Sequence, residues 1–156
     1  ALLVGGLALR RRTKQGPELS QPVAAAALST PIDDWLVAAV EEEARRSQRS
    51  VEVECRLGLG KMAHPDDSSL ERRAVRKLLA AAFAANSGGQ RMIVASDLTP
   101  RGVEIAVEAD TQPATDAIVL LFQEFGGGLE SRRRADGPGM CVTAWWPAPN
   151  SLMEAS

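Results

Sequence analysis

Apolar positions recur along this chain with two alternating periods, and the switches between them divide it into elements. Ile32, Trp35, Leu36, Ala39 and Val40 fall on one stripe at helical spacing. Thr30 or Asp33 can cap that helix, and Arg45 and Arg46 near its end suit the helix dipole. Val51, Val53, Cys55 and Leu57 then alternate with Glu52, Glu54 and Arg56, the period of a half-buried strand. A loop, "GLGKMAHPDDSS", offers Asp66, Asp67 or Ser68 as the next cap. Leu70, Ala74, Val75, Leu78, Leu79, Ala82 and Phe83 build a second amphipathic helix, which "NSGG" ends. Two strands follow, at roughly 91–96 and 103–108, with Pro100 and Gly102 setting the turn in "DLTPRG". A third helix from about Asp116 to Phe125 stops at three glycines, and a last hairpin pairs "LESRRR" with "MCVTAWW" across "ADGPG". The order helix, strand, helix, strand, strand, helix, strand, strand predicts a two-layer α/β sandwich. Its sheet is mixed and mostly antiparallel, covered on one face by three helices.

The ends break these periods. Residues 13–31 hold three prolines and no sustained stripe, so they read as a linker. The opening "ALLVGGLALRRR" has an apolar run of nine residues, far short of the roughly 20 that cross a bilayer, and it lacks a signal-peptide cleavage site. With no initial methionine, residues 1–12 read as the last turns of a helix that began upstream, and any membrane attachment is expected only there. The expected organisation is an arm over 1–30, a domain over 31–147 and a disordered tail over 148–156.

Composition narrows the function classes. In 156 residues, 45% are hydrophobic and 24% charged, with a formal net charge of -2, which suits a globular protein and gives no basic footprint for nucleic acid. The triplets Arg10–Arg12 and Arg132–Arg134 read as local solvated faces. Cys55 and Cys141 lie in strands and read as buried thiols of a reducing cytoplasm, with a disulfide between neighbouring strands left open. One histidine, His64, and two separated cysteines do not make a metal-ligand set. His64 itself precedes a proline and reads as an exposed loop residue beside Asp66 and Asp67.

Over roughly residues 31–147 the pieces resemble the ATP-binding domain of sensor histidine kinases, the Bergerat fold shared with gyrase and Hsp90-type ATPases. "AIVLLFQEFGGGLE" with its hairpin "ADGPGMCVTAWWP" carries the likeness best, and "LERRAVRKLLAAAF…SGG" is similar to the helix bearing the family's asparagine motif. "ALLVGGLALRRR" is similar to the tail of the dimerisation helix in some actinobacterial kinases. The resemblance implies magnesium-holding side chains at positions that here are Lys77 and Ala81, with the next polar positions on Ala84 and Ala85. Alanine brings no oxygen and lysine brings a positive charge, so octahedral oxygen coordination fails. The family's adenine loop, Asp-x-Gly-x-Gly, falls on "ADTQPAT": Asp110 survives, while Gln112 and Ala114 replace the glycines. No lid fits between Ala114 and the helix at Asp116, and "DGPG" belongs to the last hairpin instead. Asp110, Lys77 and Ala81 are thus expected as a vestigial site, with neither ATP nor magnesium as cofactor.

The function implied is a non-catalytic, pseudokinase-type module of two-component signal transduction that works by protein contact. A response regulator or another signalling protein is the expected partner. Strand alternation sends Trp145 and Trp146 to opposite faces, so one tryptophan beside Arg132, Arg133 and Arg134 is the candidate contact surface. Other readings stay open at this point. The chain could be the C-terminal part of a histidine phosphotransferase or sensor kinase whose phospho-accepting histidine lies upstream. It could bind ATP in an altered mode through Asp110, Lys77 and Arg73, or be an α/β sandwich unrelated to kinases.

Overall fold

The helical stripe of Ile32, Trp35, Leu36, Ala39 and Val40 is what α1 (Ile32–Ser47) buries, each at 7% exposure or less. The computed structural model describes residues 8–13, 30–47, 51–64, 69–86, 91–135, 139–148 and 153–154. Among them, α1 is joined by α2 (Ser69–Ala85) and α3 (Asp116–Glu124), and by eight strands. These are β1 (Ala8–Thr13), β2 (Glu52–Leu57), β3 (Met62–Ala63), β4 (Met92–Thr99), β5 (Gly102–Ala109), β6 (Gly128–Arg133), β7 (Met140–Trp146) and β8 (Met153–Glu154).

Six strands form one sheet in the order β1-β2-β4-β5-β7-β6. β1 and β4 run parallel to β2, and every later pairing in this sheet is antiparallel. In register, Val94 faces Val107 and Val107 faces Val142, so one face is a continuous aliphatic surface. With Val53, Cys55, Leu57, Val103, Ile105, Ala144 and Trp146 it shares a single core with the inward faces of α1, α2 and α3. Each fully buried side chain of this size contributes about 1.5–3 kcal/mol of transfer free energy. The result is the expected two-layer α/β arrangement, a mixed sheet with helices on one face.

The glycines after α3 are required by close packing. Gly127 donates its N–H to the Phe122 carbonyl at 2.7 Å, turning the chain out of the helix. A Cβ on Gly127 would stand 1.9 Å from the Trp145 carbonyl oxygen, and one on Gly128 would stand 2.5 Å from Cζ2 of the Trp145 ring. Only a residue without a side chain lets β6 start this close to β7.

Four expectations are corrected. Residues 8–13 form strand β1 rather than the end of a helix, because the outer edge of β2 offers a row of backbone donors and acceptors that a parallel strand satisfies. In the supposed disordered tail, Met153 and Glu154 form β8, which pairs antiparallel with β3 inside the loop before α2. Asp33 does not cap α1: the N–H groups of Asp34 and Trp35 donate to the Pro31 carbonyl, and the Asp33 side chain is buried. His64 is buried at 9% exposure, because the Trp146 indole Nε1–H donates to its Nε2 at 3.0 Å and their rings stack at 5.9 Å. The linker over 14–29 and the Asp66–Ser68 caps lie outside the described residues, as do Asp136–Pro138 of the last turn.

Candidate functional site

The positions singled out by the resemblance lie on α2 and on the link from β5 to α3. Lys77 is exposed, and Ala81 is half-buried against the core cluster. α2 ends at Ala85, and the next residue, Asn86, is 3% exposed and accepts the Asp110 N–H on its Oδ1 at 3.0 Å. Thr111 donates its hydroxyl to the Ala85 carbonyl at 2.6 Å, one of the carbonyls that a helix end leaves open. Gln112 Nε2 donates to the Pro113 carbonyl at 3.0 Å and to Ser131 Oγ on β6 at 3.2 Å. The link is therefore fastened at one side to the end of α2 and at the other to β6. Asp110 sits at that helix end, while Lys77 lies about 12 Å back along the axis at 1.5 Å per residue. The structure does not bring these two together.

The candidate contact residues separate as well. Trp146 is 1% exposed and packs in an aromatic group with Phe122, Phe125 and His64. Trp145 is half-buried on the uncovered face, where its companion is Arg101, whose guanidinium lies 4.0 Å above the ring centroid. Arg101 also reaches Glu104 at 3.0 Å and Glu130 at 3.2 Å. Burial works to raise the Glu104 carboxyl, but the Thr99 hydroxyl at 2.6 Å and the Arg101 guanidinium outweigh it and hold the group below its ordinary range. Arg132 and Arg133 are exposed towards the far end of the β6–β7 ladder, where Arg132 is opposite Cys141. Arg134 is held against Glu108 at 3.1 Å. The expected juxtaposition of a tryptophan with this triplet does not occur. Cys141 is a free thiol whose pKa is raised, first by burial and then by Glu108, so it carries little thiolate.

Sequence reading missed a buried polar junction. Asp33 from α1 is 1% exposed, accepts the Ser96 hydroxyl from β4 at 2.5 Å and accepts the Leu59 N–H at 3.0 Å. Ser96 Oγ in turn accepts the Gly58 N–H at 3.0 Å. Desolvation raises the Asp33 pKa, against the lowering effect of Ser96 and the N–H groups of Leu59 and Gly60. The junction ties α1, β4 and the loop after β2 together. Sequence reading took Arg73 and Lys77 only singly and passed over the cationic pattern that they form on α2 with Arg72 and Arg76, although its spacing of three and four residues marks one helix face.

Three helices layered on a mixed sheet of this order define the ATP-binding fold of the histidine kinase class. Solved structures share that fold with the chain. It matches the mycobacterial sensor histidine kinase MprB at 19% identity and a TM-score of 0.58, over 74% of this chain and 95% of that one. It matches the ATP binding domain of PrrB from Mycobacterium tuberculosis at 18% identity and a TM-score of 0.57, over 78% and 97%. It also matches the histidine kinase domain of the E. coli osmosensor EnvZ at 17% identity and a TM-score of 0.57, over 90% and 98%. No protein-family model and no curated protein matches the sequence. At these identities the likeness is one of fold. Among the described residues no helix is long and apolar enough to cross a membrane.

Proposed function

We propose that this chain is a histidine-kinase-like module of signal transduction that acts by contact with another protein, a response regulator or similar signalling partner. In this reading it does not take up ATP and magnesium in the manner of the kinases it resembles. The observation that carries the reading is the link from β5 to α3. Its residues 110–115 are hydrogen-bonded to the end of α2 and to β6, and leave no length of chain for a lid.

The residues on α2 support it. Magnesium demands near-octahedral oxygen ligands, and the positions expected to supply them are Ala81, half-buried against the core, and the cation Lys77. The Asp110 N–H is already donated to Asn86, and no glycine in this link lets a ligand approach the backbone. A fold of this kind kept without its chemistry leaves surface recognition as its use. Titration calorimetry with ATP and with ADP, each with and without magnesium, tests the reading. No heat is expected. Saturable binding that disappears in Asp110→Ala would overturn it.

A further inference from the structure

We infer that the groove between α1 and α2 docks an acidic, amphipathic segment of the partner protein. This rests on the reading of the chain as a protein-contact module, and it names the surface and the chemistry of what binds there. The groove has a volume of about 470 Å³ and adjoins a recess of about 220 Å³, the two sharing Arg72 and Arg76 as a common wall.

Five cations face it: Arg46 from α1, and Arg72, Arg73, Arg76 and Lys77 from α2. Two carboxylates stand against them, Glu42 and Glu43, on a chain whose net charge is -2. Both carboxylates are engaged within the groove. Arg46 reaches Glu42 at 3.1 Å and Glu43 at 3.5 Å, and Arg76 also bonds Glu42. Arg73 and Lys77, four residues apart and both exposed, have no carboxylate partner among the described residues. They project from one helix face at the spacing of successive turns. A segment with acidic residues at the same spacing meets both.

The recess adds an apolar floor. It is made by Trp35, Ala38 and Ala39, with the Arg72 guanidinium 5.5 Å above the Trp35 ring. The Trp35 Nε1–H is buried and has no hydrogen-bond partner among the described residues. Tryptophan and arginine are among the side chains enriched at interface centres. A free phosphate would use the cations and leave that floor bare. Nucleic acid is disfavoured by the negative charge of the chain as a whole. An amphipathic acidic helix uses both features, with its apolar side on Trp35 and the alanines and its carboxylates on Arg73 and Lys77.

The test is a titration of the full chain followed by ¹H–¹⁵N spectra. The probe is a synthetic helical peptide with leucines on one side and glutamates flanking them, and the Trp35 indole signal is assigned with Trp35→Phe. Saturable shifts of that indole and of α1 and α2 amides are expected. Affinity should fall about tenfold for the double variant Arg73→Glu, Lys77→Glu and for a peptide with glutamine in place of glutamate. Unchanged affinity in the double variant overturns the inference, as do shifts confined to the sheet or no shifts at all. Both substituted residues are exposed, so the variant keeps the wild-type far-ultraviolet spectrum. Vesicles containing phosphatidylserine form a second arm. Binding to them that depends on Arg73 and Lys77, without a peptide response, overturns the inference in favour of a membrane surface. ATP forms a third arm: a response at the Asp110 and Ala81 amides would refute the proposed loss of nucleotide binding, and the peptide result would still decide the groove.

Discussion

Replacing Asp33 probes the deepest polar junction in the molecule, and the cost can be worked from its partners. In Asp33→Ala the Leu59 N–H and the Ser96 hydroxyl both lose their acceptor inside a site where Asp33 is 1% exposed. Each unsatisfied buried group costs about 1–3 kcal/mol, so a loss of about 2–4 kcal/mol is expected once Ser96 re-forms part of its bonding. Asp33→Asn keeps one carbonyl acceptor and should cost about half as much. The sign of the pH dependence follows from the raised pKa. A carboxyl that titrates higher when folded contributes stability that is fully present below its unfolded value, about 3.8, and is lost as pH rises through the folded value. The gap between wild type and Asp33→Asn should therefore widen as pH is lowered from neutrality towards that value. Urea unfolding followed by tryptophan fluorescence measures both quantities, and taking the difference between two proteins cancels the other titrating groups. If the gap narrows on acidification, or Asp33→Ala costs less than about 0.5 kcal/mol, the junction does not bear on stability in the way described.

Other expectations test separate features. Gly127→Ala forces a methyl towards the Trp145 carbonyl oxygen, where the ideal Cβ lies at 1.9 Å. A loss of about 1–3 kcal/mol is expected in thermal melts. Trp146→Ala empties the aromatic group and should cost about 3–5 kcal/mol. Trp145→Ala should cost far less, chiefly its cation–π contact with Arg101 at about 0.5–1 kcal/mol; equal costs would contradict the assigned faces. His64→Leu leaves the Trp146 Nε1–H buried without its acceptor and should cost about 1–3 kcal/mol by chemical denaturation.

What was legible in the sequence was whatever repeats locally. The stripe from Ile32 to Val40 and the alternation from Val51 to Leu57 each report one buried face, and both elements formed where their periods put them. The order of elements then carried the resemblance. What stayed hidden depends on distant partners. The acceptor of Trp146 is 82 positions earlier, so nothing around "AHP" marks His64 as buried. Asp33 resembles any capping aspartate until Ser96, 63 positions later, is placed against it. β1 carries three arginines in a row and no alternation, and its strand form is set by the free edge of β2. β3 and β8 are two residues each, below any detectable period. At the candidate site, the places of Lys77 and Ala81 on α2 could be read directly. The cationic pattern on α2 was equally visible, but only the packing of α1 beside it turns that pattern into a groove with Trp35 beneath.

β6 closes the sheet on one side with its residues from Glu130 to Arg133 all exposed. A rim strand with unpaired backbone groups is a template on which a second molecule can add its own strand and begin an aggregate. Arginine and glutamate side chains crowd that template with charge, which an added strand would have to strip of water. Charged side chains such as Arg132 and Arg133 on an open rim are a general means by which a sheet edge disfavours the strand of another molecule.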